Sequence, residues 1–226
     1  MAKQMLKGQC NFCGESFSKS AMTKHLKSCT QKEGSSERSS PGRSSRETAV
    51  FHLVVEGRYA PGYWMHLEAP ADATLEYLDE FLRGIWLECC GHMSAFMIEG
   101  TTYSVEPMAD FDDESMQVRL DEVLSPGMKF YHEYDFGSTT HLALKVVSQE
   151  QKQIKGKSIA VLARNEPPEF SCMSCGKMAA HVCTECILSG GGCLCDECAT
   201  EHECGEEMLL PIVNSPRVGV CGYTGP

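Results

Sequence analysis

Between residues 48 and 166 the hydrophobic positions fall in short runs, and their period changes once. Val50–Glu56 (VFHLVVE) and Tyr63–Glu68 (YWMHLE) are β-rich stretches, separated by Gly57 and the turn-forming Ala60-Pro61-Gly62. From Leu75 onward the apolar residues recur at Leu78, Leu82, Ile85 and Trp86, a helical stripe that Asp72 or Thr74 can cap. Ser94–Glu99 and Thr101–Val105 read as paired strands, and Val118–Leu124 as a short amphipathic stretch before the Ser125-Pro126-Gly127 turn. Lys129–Asp135, His141–Val147 and Ser158–Arg164 close the series. Gln149–Lys157, with Lys152, Lys155 and Lys157 around Gly156, reads as a solvated hairpin turn. Strand pairs around one main helix predict an α+β fold, a compact sheet-plus-helix domain at 48–166.

The pattern stops on both sides. Residues 31–47 lack aliphatic and aromatic side chains, so they cannot offset the entropy of ordering and read as a flexible basic Ser/Gly-rich linker. Its arginines Arg38, Arg43 and Arg46 are candidates for phosphate contact. Residues 1–30 and 167–226 are rich in cysteine, and the ending 214–223 is dense in turn formers yet apolar enough to pack. The chain thus divides into a finger (1–30), a linker (31–47), the α+β domain (48–166) and a Cys-rich module (167–226).

Charge is divided along the same lines. The net charge is −11, yet residues 1–47 hold nine Lys or Arg against four Glu, and the remainder holds eleven against twenty-seven acids. A basic head on an acidic body suits contact with nucleic acid through the head. The acidic body suits a protein partner instead. No segment approaches the roughly 20 apolar residues of a membrane span, and no apolar run follows the lysines of Met1–Gly8. The expectation is a cytoplasmic protein with no membrane partner.

Fourteen cysteines in C-x2-C units with nearby histidines point to metal rather than to a secreted disulfide scaffold. In the head, Cys10, Cys13, His25 and Cys29 have the order of a small finger, and a helix over Ser18–Lys27 brings His25 and Cys29 to one face. Phe17 and Met22 occupy the places where a ββα finger keeps its apolar core. The helix presents Lys19, Lys24 and Lys27 as candidate nucleic-acid contacts. In the tail, Cys172, Cys175, Cys195 and Cys198 are expected to hold one ion, in alternation with a second set. That set is Cys183, Cys186 and His202, closed by either Cys204 or Cys221. The spacing therefore predicts about three Zn2+ ions; disulfides, or a single ribbon zinc with spare thiols, are the competing readings. Adjacent thiols point apart, so Cys89-Cys90-Gly91-His92 is expected to pack as small core residues after the helix.

Three resemblances follow from these residues. The head resembles the two-Cys, two-His fingers with the last histidine replaced by cysteine. The order of pairs in the tail resembles the interleaved two-zinc modules of the HIT, MYND and B-box finger families. Tyr134-Asp135-Phe136-Gly137, followed by His141, resembles the hallmark strand of the plasmid pRiA4b ORF-3-like family. That family's strand continues with a second acid and a tryptophan, where this chain has Ser138-Thr139-Thr140. The resemblance covers residues 50–164 and implies a compact α+β fold, with little implied about activity.

Asp135 and His141, six residues apart across a turn, are the only pair offered for acid–base chemistry, with His132 and Glu133 nearby. Turn chemistry at Asp135 is the simpler reading. The sequence shows no P-loop and no dinucleotide-binding glycine pattern, and closed sets of four ligands leave no open metal position for water. The reading is a non-enzymatic zinc adaptor. Its finger contacts RNA, DNA or a ribonucleoprotein, and its acidic body and tail contact protein. The alternative is a pure protein-interaction or assembly factor; an enzyme using Asp135 and His141 ranks third.

Overall fold

The computed structural model describes residues 6–31, 45–107, 113–156 and 158–226, and it divides into two units. One takes the described residues up to Phe81 together with Met93–Glu166; the other takes Leu82–His92 and Pro167–Pro226. Most of the linker expected at 31–47, with Arg38 and Arg43, lies outside the described residues, as does Lys157.

The first unit is built on ten strands: β1 Lys7–Cys10, β2 Ser16–Ser18, β3 Ser45–Gly57, β4 Trp64–Pro70, β5 Ser94–Ile98, β6 Thr101–Ser104, β7 Glu114–Ser115, β8 Lys129–Tyr134, β9 Thr140–Lys155 and β10 Ala160–Asn165. Their order is β2-β1-β10-β4-β3-β9-β8-β5-β6-β7, antiparallel except where β6 meets β7. The chain is α+β, as its periodicity predicts.

Two expectations are corrected by this sheet. The finger is not a separate bead, because β1 pairs with β10 from Gly8↔Asn165 to Cys10↔Ala163 and carries the sheet into the finger. Nor is Gln149–Lys157 a hairpin turn. It continues β9 to Lys155 and pairs with the start of β3, Arg46↔Ile154 and Thr48↔Lys152 among others. Arg46 therefore belongs to a strand, where it forms a bidentate ion pair with Asp72, and Lys152 pairs with Glu68.

Register places the helices on opposite faces. Glu56 lies opposite both Trp64 on β4 and Ala143 on β9, and Ala143 lies opposite Tyr131 on β8. These four share a face, and the next residue, His132, points to the other. On the first face the finger helix Lys19–Ser28 buries Met22 and Leu26 against Trp64, Leu162 and Ala163. On the second, Asp79 of helix Leu75–Leu82 reaches His132, Nε2 to Oδ1 2.6 Å, with both groups buried. Thr74 is the residue that caps this helix, accepting from the Tyr77 amide at 3.2 Å. A cover on each face explains why β4 is buried at nearly every position.

Trp64 fixes the joint between finger and sheet. It is fully buried, its Nε1–H donates to the Leu6 carbonyl at 3.3 Å, and its backbone amide donates to Asn165 Oδ1 at 2.9 Å. A Cβ on Gly8 would stand 2.5 Å from the Trp64 ring and 2.4 Å from the Arg164 carbonyl oxygen, so only glycine lets β1 lie this close.

The second unit has much less regular structure. β11 His181–Cys183 is flanked by β12 Cys193–Leu194 and β13 Leu209–Pro211, with a one-turn helix at Asp196–Ala199. Its compact apolar cluster is Cys172, Leu194, Cys195 and Ala199, with Cys198 and Leu209 against it. Among the described residues, no helix is long and apolar enough to cross a membrane.

Candidate metal centres

Thirteen of the fourteen cysteines and three of the eight histidines fall into four groups of four, each with its donor atoms within 4.8 Å of one another. Each group can hold a metal ion. Three thiols with one imidazole, or four thiols, is the donor chemistry of a closed tetrahedral site.

In the finger, Cys10, Cys13, His25 and Cys29 converge, with Cys13 Sγ 3.3 Å from His25 Nε2. Cys10 and Cys13 leave a tight knuckle in which Gly14, at φ +75°, returns its amide to the Cys10 carbonyl at 2.8 Å. The first tail pair repeats the device. Gly176, at φ +76°, returns its amide to the Cys172 carbonyl at 2.9 Å. A glycine directly after each C-x2-C was a readable sign that these two pairs make the same turn. Burial raises the Cys10 thiol, and the Glu15 backbone hydrogen bond lowers that of Cys13.

In the tail, Cys172, Cys175, Cys195 and Cys198 form one group, and Cys183, Cys186, His202 and Cys204 another. Pairs alternate between the two, as in an interleaved module, and Cys204 rather than Cys221 closes the second. Sulfur separations are 3.6 Å for Cys175–Cys195 and 3.8 Å for Cys186–Cys204, and Cys186 Sγ is 3.5 Å from His202 Nε2. Sulfurs bound tetrahedrally at 2.3 Å would stand about 3.7 Å apart. In each group one thiol is drawn down and another is pushed up. Hydrogen bonding from the Cys195 and then the Cys175 and Ser174 backbone draws Cys172 down to about 6, while its neighbours Cys175, Cys195 and Cys172 push Cys198 up to about 12. Burial acts to raise Cys183 but is outweighed by the Cys186 backbone and His202, leaving it at about 7; Cys186 and Cys183 push Cys204 to about 12. Thiols gathered this closely can give up their protons together only to a cation, so each group can hold a metal ion.

The fourth group is Cys89, Cys90, His92 and Cys221. Reading Cys89-Cys90-Gly91-His92 as small core residues is therefore wrong: Cys90 is exposed, and His92 Nε2 lies 3.0 Å from Cys90 Sγ and 3.2 Å from Cys221 Sγ. No C-x2-C spacing marks this group, and Cys221 is 131 residues from Cys90. The available signal was arithmetic, since three sets of four leave Cys89, Cys90, Cys221 and Cys193 unassigned. Cys193 stands outside all four groups, and burial raises its thiol.

The remaining candidates separate. Lys24 and Lys27 are exposed on the finger helix, but Lys19 is engaged in an ion pair with Glu56. Asp135, at φ +66°, accepts from the amides of Gly137 (3.0 Å) and Ser138 (3.1 Å), which is turn chemistry. His141 bonds Glu133 instead, Nδ1 to Oε1 3.0 Å. The buried Asp79–His132 pair went unread in the sequence, where Asp79 is one polar residue within a helical stripe.

The class these features define is an α+β protein carrying small Cys/His modules able to hold metal. No family model and no curated protein matches the chain. Among solved structures it is similar to a protein of unknown function, MM3350, from Methanosarcina mazei Go1, at 15% identity, covering 52% of this chain and 70% of that one, with a TM-score of 0.47.

Proposed function

We propose that this protein is a zinc-binding adaptor whose finger contacts nucleic acid and whose acidic tail contacts protein. The carrying observation is the orientation of the finger helix. Met22 and Leu26 are spent on the sheet, which leaves Lys24 and Lys27 in solvent on the net-basic head of the chain. Metal sets the helix by fixing His25 and Cys29, and the sheet then makes it a rigid platform. The lysines offer phosphate contacts rather than base reading, because one finger covers only about 3 base pairs. In this reading the sheet domain is of the pRiA4b ORF-3-like kind, supported by the Tyr134–Gly137 strand-to-turn segment, and serves as scaffold rather than as an enzyme.

The test is binding of the zinc-loaded protein to mixed RNA and DNA across a salt series, native against Lys24→Glu/Lys27→Glu. Deleting the head is a poor control because it would uncover Trp64. Affinity should fall steeply with salt, and the double variant should flatten the log–log slope by about 2. Absence of binding at low salt, or identical slopes, would remove nucleic acid from the reading.

A protein-only assembly factor is the second reading. It is favoured by Met173, Met178 and Leu188 of the tail, which are 56%, 61% and 84% exposed. Seven acids against Lys177 and Arg217 between Cys172 and Cys221 make that module a poor phosphate binder in either case.

A further inference from the structure

We propose that Cys89, Cys90, His92 and Cys221 form a fourth zinc site whose role is to staple the C-terminal segment 214–223 to the turn at 83–92. This inference is independent of what the finger binds, and it concerns residues the spacing of the other sites does not reach.

The chain prepares both halves of the site. Helix Leu75–Leu82 passes into a π-helical turn, Arg83–Leu87, closed by the Glu88 amide on the Arg83 carbonyl at 2.8 Å. Glu88 then holds the loop that carries the donors, pairing with Arg83 through Oε2 and accepting from the Gly91 amide through Oε1 at 2.6 Å. Gly91 takes φ +79°, and this turn lets Cys90 and His92 converge. On the other side Cys221 itself has φ +50°, a conformation uncommon outside glycine, between Gly219 at +78° and Gly222 at +68°. Such a conformation persists where the surroundings hold it, and an ion on the Cys221 sulfur would do so.

The sulfurs have the separations of a tetrahedral site, and the imidazole nitrogen lies slightly inside them. Cys89 and Cys90 sulfurs are 3.6 Å apart, Cys90 and Cys221 sulfurs 3.9 Å, and His92 Nε2 is 3.0 and 3.2 Å from the latter two. Zinc bond lengths would set these near 3.7 Å for two sulfurs and near 3.5 Å for sulfur and nitrogen. Three thiols and one imidazole also repeat the donor set of the finger and of the second tail site.

Charge supplies a second, separate argument. Arg217 is fully buried, and its Nη2–H donates to Cys89 Sγ at 3.4 Å. Zinc with three thiolates and a neutral imidazole carries one net negative charge, and a buried guanidinium beside a ligand sulfur complements it. The same segment is anchored on either side of that contact. Ser215 Oγ–H donates to the Trp86 carbonyl at 2.6 Å, and the space beside Gly219 is bounded by Ile187 and Val182 of the tail module. A metal at Cys221 would therefore join the Leu82–His92 turn to the end of the chain.

Burial distinguishes this site from the others. None of its four donors is buried, and Cys90 and Cys221 are exposed, whereas each of the other three groups has at least one buried thiol. The staple is the site expected to give up its ion first to a chelator, freeing the C-terminal segment while the other three sites stay loaded.

The test is the zinc count of the full chain by native mass spectrometry under reducing conditions, combined with brief trypsin digestion. Four ions per chain are expected for the native protein, and cleavage after the buried Arg217 should be absent. Cys221→Ser and His92→Ala should each hold three ions and be cut after Arg217. His92→Cys, which keeps four donors, should return both readouts to native values and guards against variants that lose metal by misfolding. Three ions in the native chain, or four retained in Cys221→Ser with Arg217 still protected, would overturn the staple and leave the other three sites standing.

Discussion

The sheet unit and the cysteine-rich unit hold their chains in place by different means. The first buries Trp64, Phe51, Phe96, Phe130, Leu53 and Met65 almost completely, and each such side chain contributes roughly 1.5–3 kcal/mol. The second buries fewer large side chains, Leu82, Trp86, Leu87, Val182 and Tyr223 beside a cluster of four of which two are thiols, and its strands are of two or three residues. Strands that short contribute little by themselves, whereas a structural zinc would contribute roughly 10–16 kcal/mol per site. Where apolar side chains are plentiful the fold depends on periodicity; where they are scarce it depends on donor spacing. The finger combines both, because its metal set and its Met22–Leu26 face share one cluster with Trp64.

The largest expected effect breaks only the second unit. Replacing Cys175 and Cys198 together with serine should cost on the order of 10 kcal/mol of metal binding and remove the amide dispersion of β11–β13 in NMR spectra, with the sheet resonances unchanged. Next comes the joint. Trp64→Ala should cost about 3–5 kcal/mol, read as a lowered denaturation midpoint of the sheet unit together with weaker metal retention by the finger.

Acid sharpens the contrast further. Binding an ion in the tail displaces protons from thiols such as Cys198 and Cys204, held up at about 12, so tail occupancy should fall as pH falls. The sheet has its own acid response. Burial, then the neighbouring His52, holds His66 down to about 3, against about 6.5 for an unfolded histidine. The unfolded state thus binds the extra proton between those values. Stability is complete above about pH 6.5 and declines toward pH 3 by at most about 1.4 kcal/mol per pH unit. Urea titrations at several pH values should show this slope in the native protein and lose it in His66→Gln. The smallest effect belongs to Lys24→Ala and Lys27→Ala, which should move stability by no more than about 0.5 kcal/mol while weakening nucleic-acid binding.

The same contrast governs what the sequence discloses. The strand β8 and the helix at Leu75 follow from apolar period, because each has a buried face to betray it, and β4 and β10 follow from their β-rich runs. The extension of β9 does not. Lys152 and Gln153 pair with Thr48 and Glu47 of β3, a polar stretch against a polar stretch, and neither has a hydrophobic pattern to read. The union of finger and sheet was equally hidden, since β1 is Lys-Gly-Gln-Cys and its strand character comes from the β10 edge it meets. Among the donors, those paired within C-x2-C units are legible because local spacing sets their convergence. Cys89, Cys90, His92 and Cys221 are brought together by a π-helical turn and a chain end 131 residues away, which spacing cannot encode.

The central claim is that metal organises the cysteine-rich unit while the sheet stands on its own core. Hydrogen–deuterium exchange of the full chain, zinc-loaded and after chelation under reductant, tests it most directly. The account predicts that amides across 172–211 and 214–223 exchange at the rate of an unfolded chain once metal is withdrawn, while β3, β4 and β9 keep their protection. Persistent protection of the tail without metal, or collapse of the sheet together with the tail, would contradict it.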